Sequence, residues 1–422
     1  MKKKYLILFS IFTILAFTCC SVDKDSFSEK PTPIDTHKPP NSYPGDNFDL
    51  FLKDHIVNSD VYGEGEILQN QNNNPRFLLS KRKWQGIPSI GVDRLGNLYA
   101  GWISGGNGES NENYLTISVS KDKGQSWDHD KLILAVSPED STRMKDPNFF
   151  KDKFGNLYLY WGKHVQKKNI AAKEWATTWY SKINLSDDGD TINFSPPRKI
   201  VEGIMLNKLF YSEFSDQVVF PVARWYEGNY QMHKPFIYKA NYGNESLVDF
   251  KKTGAIPVPV AISQIHEHMV VQLKDSTYLG MVRTKDGIYY SKSKDGDTWD
   301  NSIKFTDLGA TTPSRFYLGK LKSGRLVFIF NNDVNRSNMT VCLSEDDGLT
   351  WPYKILLDST IGTQGGYGIS YPDMIETDPG VLNIVYDYLR APVGGIVLIK
   401  INEEDIINNR AVFLKSNISS LK

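Results

Sequence analysis

A short turn recurs along the chain, and it constrains the fold more than any other feature of the sequence. Its full form, Ser-x-Asp-x-Gly-x-Thr-Trp, occupies residues 344–351. Residues 120–127 match it with Ser in place of Thr, residues 293–299 are one residue shorter, and residues 186–191 are a weaker copy. Asp oxygens accept backbone N–H bonds in such turns, and Gly supplies an unusual φ. We expect Trp to pack between neighbouring sheets. The role of these turns is therefore structural, and their Asp residues are not catalytic candidates.

Between the turns the sequence alternates a short strand, a polar turn and a strongly apolar strand. The pattern repeats in six units of roughly 50 to 60 residues, around 87–103, 146–161, 204–222, 269–282, 315–330 and 371–388. No amphipathic helix separates the units. The sequence predicts an all-β fold, a six-bladed β-propeller of four-stranded antiparallel blades. The last unit supplies about three strands, so we expect segment 63–79 to donate the fourth and close the ring.

The first residues read as a targeting segment. Lys2–Lys4 precede an apolar run that is too short to span a membrane, and Cys19 and Cys20 follow it. This pattern predicts a bacterial lipoprotein signal over residues 1–20, lipidated at Cys19 or alternatively at Cys20; a plain secretory signal is the other interpretation. Residues 21–48 are rich in Ser, Pro and Asp and predict a disordered tether. Residues 49–422 would form the propeller, lipid-anchored in the cell envelope, in the periplasm or on the outer-membrane surface.

Composition excludes several classes of function. Lys+Arg and Asp+Glu both number 49, so no overall field attracts nucleic acid. The remaining cysteine, Cys342, allows neither a disulfide framework nor a zinc motif. His164, His266 and His268 fit no zinc spacing either. We expect no cofactor, no metal site and no obligate protein partner.

The repeated turns resemble the Asp boxes of the sialidase and BNR-repeat propellers. Asp boxes also occur in non-enzymatic propellers, so they support the fold rather than an activity. The resemblance implies a retaining glycoside hydrolase with a Tyr nucleophile. In that family a Glu activates the Tyr, three Arg side chains grip the carboxylate of a terminal acidic sugar, and a separate acid protonates the leaving oxygen.

The resemblance assigns these roles to particular residues. Glu267 and Arg283, sixteen residues later, resemble the Glu and the Arg of the family's Glu-strand-turn-strand-Arg blade. Glu267 would be the base, and Arg283 would be one of the arginines that bind the sugar carboxylate. Arg336, before the full Asp box, resembles a later clamp. Tyr371 opens the sixth unit and would be the nucleophile. Asp373 would share a face with Tyr371 on a regular strand.

The resemblance is less direct for the general acid and for the first of the three carboxylate-binding arginines. Glu109 in the Gly-rich loop after the first unit would be the acid, with Glu112 as the alternative. Where sialidases have Arg-Ile-Pro, this chain has Gly86-Ile87-Pro88, beside Gln85. The missing charge points to a different acidic sugar, with Gln85 as a substrate contact. Arg82, Arg143, Arg224 and Arg390 are possible replacements, and Asp146, Asp387 and Arg390 are either substrate contacts or buried ion pairs.

Two other functions stay open at this point. One is a surface glycan-binding propeller without catalysis, which the absent Arg at Gly86 motivates. The other is a different enzyme on the same scaffold, either a neutral-sugar glycosidase or a polysaccharide lyase.

Overall fold

The computed structural model describes residues 74–136, 142–165, 175–186, 191–224, 233–243, 247–362, 368–391 and 393–421, together with the backbone of 66–69. The predicted signal segment with Cys19 and the predicted tether lie outside the described residues. The described strands form six antiparallel sheets, which are the blades of a six-bladed propeller. Both the fold class and the number of blades are confirmed.

Blades 1 to 3 follow one another along the chain. Blade 1 contains β1 (Glu66–Gln69), β2 (Trp84–Val92), β3 (Leu98–Gly105), β4 (Tyr114–Ser120) and β5 (Asp128–Ala135). Blade 2 contains β6 (Thr142–Lys151), β7 (Leu157–Val165), β8 (Trp175–Leu185), β9 (Ile192–Phe194) and β10 (Arg198–Glu202). Blade 3 contains β11 (Phe210–Ser212), β12 (Gln217–Arg224), β13 (Lys234–Tyr242) and β14 (Leu247–Ala255).

Blades 4 to 6 are four-stranded. Blade 4 contains β15 (His268–Gln272), β16 (Tyr278–Thr284), β17 (Gly287–Ser293) and β18 (Ile303–Lys304). Blade 5 contains β19 (Tyr317–Lys320), β20 (Leu326–Asn331), β21 (Met339–Ser344) and β22 (Tyr353–Asp358). Blade 6 contains β23 (Ile369–Glu376), β24 (Val381–Tyr388), β25 (Gly395–Asn402) and β26 (Phe413–Ser419), with the short helix α1 (Glu403–Ile407) before β26. Single 3-10 turns lie at Leu79–Lys81 and Val260–Ile262. Among the described residues, no helix has the length and apolar character needed to cross a membrane.

The hydrophobic core lies between the blades. The sequence of strand β20 is apolar at every position but the last, and the contacts of its two faces explain why. Side chains on a strand alternate between its two faces. Val327 and Ile329 pack into the cluster shared with blade 6. Leu326, Phe328 and Phe330 pack into the cluster shared with blade 4. A blade inside the ring is therefore buried on both faces, which gives a continuous apolar run rather than an alternating one.

The Asp box at 344–351 has the hydrogen bonds that its sequence predicts. Asp346 Oδ1 accepts bonds from the Ser344 hydroxyl and the Thr350 N–H, each at 2.8 Å. Asp346 Oδ2 accepts the Thr350 hydroxyl at 2.6 Å. The N–H of Gly348 donates to Ser344 Oγ, and Gly348 has a φ of +82°. One carboxylate thus closes the turn, and glycine provides the left-handed backbone.

The Trp residues of the boxes connect neighbouring blades, as predicted. Trp351 packs in the cluster between blades 4 and 5. Trp299 packs between blades 3 and 4, and Trp127 lies against the cluster of blades 1 and 6. In the weaker copy the Thr191 N–H donates to Ser186 Oγ, while residues 187–190 lie outside the described part of the chain.

The predicted closure of the ring is wrong. Segment 63–79 does not complete blade 6, because β1 pairs with β5 on the outer side of blade 1. The fourth strand of blade 6 is β26, which pairs with β25. Blades 1 and 6 meet through packed side chains, including Ile90 and Trp102 from blade 1 and Val385 and Ile396 from blade 6. A backbone hydrogen bond from the N–H of Gln85 to the carbonyl of Arg390 also joins them.

Replacing Asp346 with Ala should lower the stability of the propeller without altering its site. The variant loses the three hydrogen bonds of the box carboxylate, a cost of about 1–3 kcal/mol. We expect the melting temperature to fall by a few degrees in a thermal scan. Lys294→Ala, at an exposed position of another Asp box, is the control and should melt like the wild type. An unchanged melting temperature for Asp346→Ala would contradict the structural role of the turn.

Candidate active site

Three predicted site residues meet in one hydrogen-bonded group near the heads of the inner strands. The Tyr371 hydroxyl donates to Glu267 Oε1 at 2.7 Å. Arg283 Nη1 donates to Glu267 Oε2 at 2.5 Å and to Tyr371 Oη at 3.1 Å. All three side chains are buried. Residues 88 and 104 positions apart along the chain therefore converge on a single phenol.

The surroundings of this group fix where its proton lies. Burial tends to raise the pKa of Glu267, but the Arg283 guanidinium and the hydrogen bonds from Arg283 and Tyr371 outweigh it, so the pKa is lowered. Burial, followed by the Glu267 carboxylate, raises the pKa of Tyr371 even though nearby guanidinium groups act against it. At neutral pH Glu267 is a carboxylate and Tyr371 a phenol, which is the resting state that a base-assisted nucleophile requires.

Three further guanidinium groups surround the Tyr371 ring. The Cζ atoms of Arg390, Arg315 and Arg336 lie 4.3, 4.8 and 5.2 Å from the ring centroid. Arg336 is half-buried, and it makes no ion pair with the described residues. Sequence reasoning placed Arg336 and Arg390 among the candidates and missed Arg315. The available signal was its position just before the inner strand β19, which is where Glu267 stands relative to β15.

Arg390 lies in the space above Gly86. A Cβ atom built on Gly86 would be 2.9 Å from both Cγ and Cδ of Arg390 and 3.0 Å from its Nε. Nε donates to Asp387 Oδ2 at 2.9 Å, and one Nη donates to the Ser370 hydroxyl at 3.3 Å. Burial tends to lower the pKa of Arg390, but the neighbouring acidic groups, Asp387 above all, raise it, so the group is permanently cationic.

The other three arginines that could replace the Arg absent at position 86 do not occupy the space above Gly86. Arg82 forms an ion pair with Asp130 at 2.7 Å in blade 1. Arg224 donates to the Tyr238 hydroxyl at 2.6 Å in blade 3. Arg143 lies beside the group around Tyr371, because its guanidinium contacts the same Glu109 carboxylate that approaches Arg390.

Glu109 lies in the loop after β3, and its side chain extends toward Arg143 and Arg390. Its carboxylate oxygens lie 3.4 Å from Arg143 Nη1 and 3.9 Å from Arg390 Nη1. The side chain is 39% exposed, so solvent reaches it. Glu112, the alternative acid, is an exposed residue whose N–H donates to Ser110 Oγ. Of the two, Glu109 is the residue in contact with the pocket arginines.

Asp146 is a buried carboxyl group in the same region. It sits in the inner strand of blade 2 at a φ of +51°, within a register shift of β6. Lys145 Nζ is 3.9 Å from its carboxylate. Burial raises the pKa of Asp146 to about 6, although Lys145 and Arg315 act against the shift. The carboxyl group is therefore partly protonated near neutral pH.

Two predicted substrate contacts belong instead to the framework. Gln85 donates to the Gly394 carbonyl and to Ser419 Oγ, and it accepts a bond from the Trp102 indole, so it connects blade 1 to blade 6. Asp373 Oδ2 accepts bonds from the Ser89 hydroxyl and the Ile90 N–H and pairs with Lys208.

The reason for the misplaced Asp373 is a β-bulge. β23 advances from Ser370 to Asp373 while its partner strand advances only from Asp387 to Val385. The extra residue breaks the two-residue period, so Tyr371 and Asp373 do not share a face.

No group of three or more metal-ligating side chains is present among the described residues. Burial lowers the pKa of His266 to about 3 and that of His268 to about 4, so both rings are neutral. A cavity of about 460 Å³ lies along the inner strands of blades 3 to 5, lined by Lys208, Gln272 and Tyr317 among others. It holds none of the candidate catalytic side chains.

The fold and the repeated boxes define an Asp-box β-propeller. The family model described as "BNR repeat-like domain" matches residues 96–384, and the chain belongs to this family. A search of curated proteins finds no match.

Solved structures of similar fold include two kinds of sialidase. The NanB sialidase from Streptococcus pneumoniae is 12% identical with a TM-score of 0.53, over 76% of this chain and 70% of that one. The intramolecular trans-sialidase from Ruminococcus gnavus is 14% identical with a TM-score of 0.53, over 78% and 96%.

A third similar structure has a different activity. The GH93 α-L-arabinofuranosidase of Fusarium graminearum is 12% identical with a TM-score of 0.53, over 82% of this chain and all of that one. At these identities the likeness establishes a fold shared with glycoside hydrolases, and it leaves the substrate to the residues of the site.

Replacing Asp146 with Asn should change how stability depends on pH. The folded-state pKa of Asp146 is raised from 3.8 to about 6. Well below pH 3.8 the carboxyl is protonated in both the folded and the unfolded state, and it costs nothing. As pH rises from about 4 to 6, the unfolded state loses this proton while the folded state keeps it, so the wild type loses up to about 3 kcal/mol of unfolding free energy, and the loss levels off above pH 6. Asp146→Asn should lack this loss in urea titrations between about pH 3 and 7.

Asp307→Asn, at an exposed carboxyl position, is the matched control and should follow the wild-type pH profile. Parallel profiles for wild type and Asp146→Asn would contradict the raised pKa.

Proposed function

We propose that this protein is an exo-acting, retaining glycoside hydrolase that releases a terminal acidic sugar from a glycan. The observation that carries the proposal is the 2.7 Å hydrogen bond from Tyr371 to Glu267, with Arg283 bonded to both. A buried phenol paired with a buried carboxylate is an arrangement suited to a nucleophile and its base.

In the first step the Tyr371 oxygen attacks the anomeric carbon while its proton passes to Glu267. The glycosidic bond breaks, and protonated Glu109 gives its proton to the leaving oxygen. In the second step Glu109, now a carboxylate, takes a proton from water, whose oxygen attacks the anomeric carbon while the glycosyl–tyrosine bond breaks. The phenolate leaves and recovers its proton from Glu267. Two displacements retain the anomeric configuration.

The charge around Tyr371 supports an acidic sugar. Four guanidinium groups surround this residue, and two of them, on Arg283 and Arg390, pair with carboxylates. Arg315 donates to backbone carbonyls rather than to an acid. A sugar carboxylate would supply the missing negative charge, and it would repel a carboxylate nucleophile more than a phenol.

Replacing Tyr371 with Phe should abolish turnover, because the attacking oxygen is removed. We expect release of 4-methylumbelliferone from the α-glycosides of N-acetylneuraminic acid and glucuronic acid to fall at least 1,000-fold, within the range that loss of a catalytic group produces. Glu267→Gln should lower kcat by about 100-fold or more, as expected for loss of a general base. The measurement is initial rate by fluorescence, with both substrates beside a neutral arabinofuranoside.

Tyr353→Phe is the matched control, since Tyr353 packs against the blade 5–6 cluster and should keep full activity. Turnover of the arabinofuranoside alone would replace the acidic substrate with a neutral one. Binding of the acidic sugars without release would indicate a glycan-binding propeller, and an unsaturated product absorbing in the ultraviolet would indicate a lyase.

We also propose that the protein is lipid-anchored in the bacterial cell envelope. The support is the basic, apolar and cysteine pattern of residues 1–20. Cys19→Ser should shift the protein from the detergent phase to the aqueous phase in Triton X-114 partitioning of expressing cells. Cys20→Ser is the matched control and should stay in the detergent phase; the reverse result would move the anchor to Cys20.

A further inference from the structure

Glycine at position 86 is explained by its neighbour rather than by its own backbone. Gly86 is not among the residues with a positive φ. Its missing Cβ would collide with the aliphatic stem of Arg390 at 2.9 Å. The absence of a side chain at Gly86 therefore makes room for the side chain of Arg390.

Arg390 is held in that space from several directions. Its carbonyl accepts the N–H of Gln85 at 3.2 Å, which fixes its backbone against β2. Asp387, which receives its Nε, also accepts the Ile87 N–H at 3.0 Å and the Ser370 hydroxyl at 2.7 Å. A carboxylate with this many donors stays in place, so the guanidinium is pre-organised.

The remaining edge of the guanidinium faces the catalytic side chains. Its centre lies 4.3 Å from the Tyr371 ring centroid, and Nη1 is 3.9 Å from the Glu109 carboxylate. A charge-assisted hydrogen bond is normally about 2.7–2.9 Å long, so the Glu109 contact is loose. The guanidinium thus lies against the ring of the proposed nucleophile, and its Nη1 atom approaches the carboxylate of the proposed acid.

We propose that Arg390 binds the substrate carboxylate and that Gly86 and Arg390 form a co-dependent pair that sets specificity for an acidic sugar. The proposal rests on the proposed function and deepens it. A planar guanidinium can meet both carboxylate oxygens, whereas a Lys at this position would act as a point charge. The carboxylate-binding Arg that sialidases carry at the start of blade 1 is therefore replaced by Arg390, in the turn that follows β24 in blade 6.

The test compares an acidic glycoside with its methyl ester, which keeps the sugar and removes the charge. In the 4-methylumbelliferyl assay, Arg390→Met should lower kcat/KM for the free acid by about 10- to 100-fold, the usual loss of a charge-assisted contact. The methyl ester should lose less than about threefold. Arg390→Lys should recover only part of the preference for the acid.

Gly86→Ala should lower activity on the acid selectively, because the added methyl group displaces Arg390. Gly101→Ala is the matched control: it adds a methyl group to a strand glycine in blade 1 whose nearest neighbours are core atoms of Phe149 and Ile117. It should keep the wild-type ratio of acid to ester. Equal losses on acid and ester for Arg390→Met would overturn the proposal and leave Arg390 a structural residue.

Failure of the proposed function gives a different result. If the wild type hydrolyses neither substrate, calorimetric binding of N-acetylneuraminic acid and of glucuronic acid is compared with binding of their methyl esters. A preference for a free acid that disappears in Arg390→Met supports the role of Arg390 without catalysis. Equal or absent binding of acid and ester by the wild type would overturn it.

Discussion

The guanidinium of Arg315 joins four blades beneath the site. It donates to the carbonyl oxygens of Leu206 at 2.9 Å, Pro88 at 2.8 Å and Tyr371 at 3.4 Å. Leu206 lies in the segment leading into blade 3, and Pro88 and Tyr371 lie in the inner strands of blades 1 and 6. A buried cation costs several kcal/mol unless hydrogen bonds compensate it, so these contacts favour keeping the three carbonyls in place. No single sheet contains both Tyr371 and Glu267, and the Arg315 contact is one of those that hold the Tyr371 backbone against the neighbouring blades.

A second constraint is a shared distortion of three inner strands. Ile87, Asp146 and Tyr371 each precede a Pro and have φ values of +60°, +51° and +56°. Each lies in a register shift of β2, β6 or β23. Left-handed backbone at a β-branched or bulky residue is strained and persists where the surroundings over-determine it. The same kind of β-bulge thus positions an apolar side chain in blade 1, a carboxyl group in blade 2 and the phenol in blade 6.

The sequence was sufficient for the number of blades and for part of the site. Each Asp box closes within a few residues, so its signal is local. Glu267 and Tyr371 were predicted from the resemblance of their segments to sialidase blades, and the structure brings the two side chains together. Asp373 was misplaced because a bulge changes the two-residue period of β23. The available mark was Pro372, since Pro inside an inner strand indicates a bulge. Arg315 was missed because its partners are carbonyls, which any residue supplies. The last strand, 413–419, was overlooked because it is mostly exposed and lacks an apolar period.

The balance of charge in the pocket explains why a phenol suits it better than a third carboxylate. Glu267 and Asp387 pair with two of the four guanidinium groups that surround Tyr371, and the Arg315 charge is met by carbonyl dipoles. A carboxylate in place of Tyr371 would neutralise part of the remaining charge and weaken the attraction for an anionic ligand. In the proposed mechanism, a neutral phenol leaves that attraction intact until Glu267 removes its proton. The proposed nucleophile would then become charged only when the sugar is in place, where the surrounding arginines would stabilise both anions.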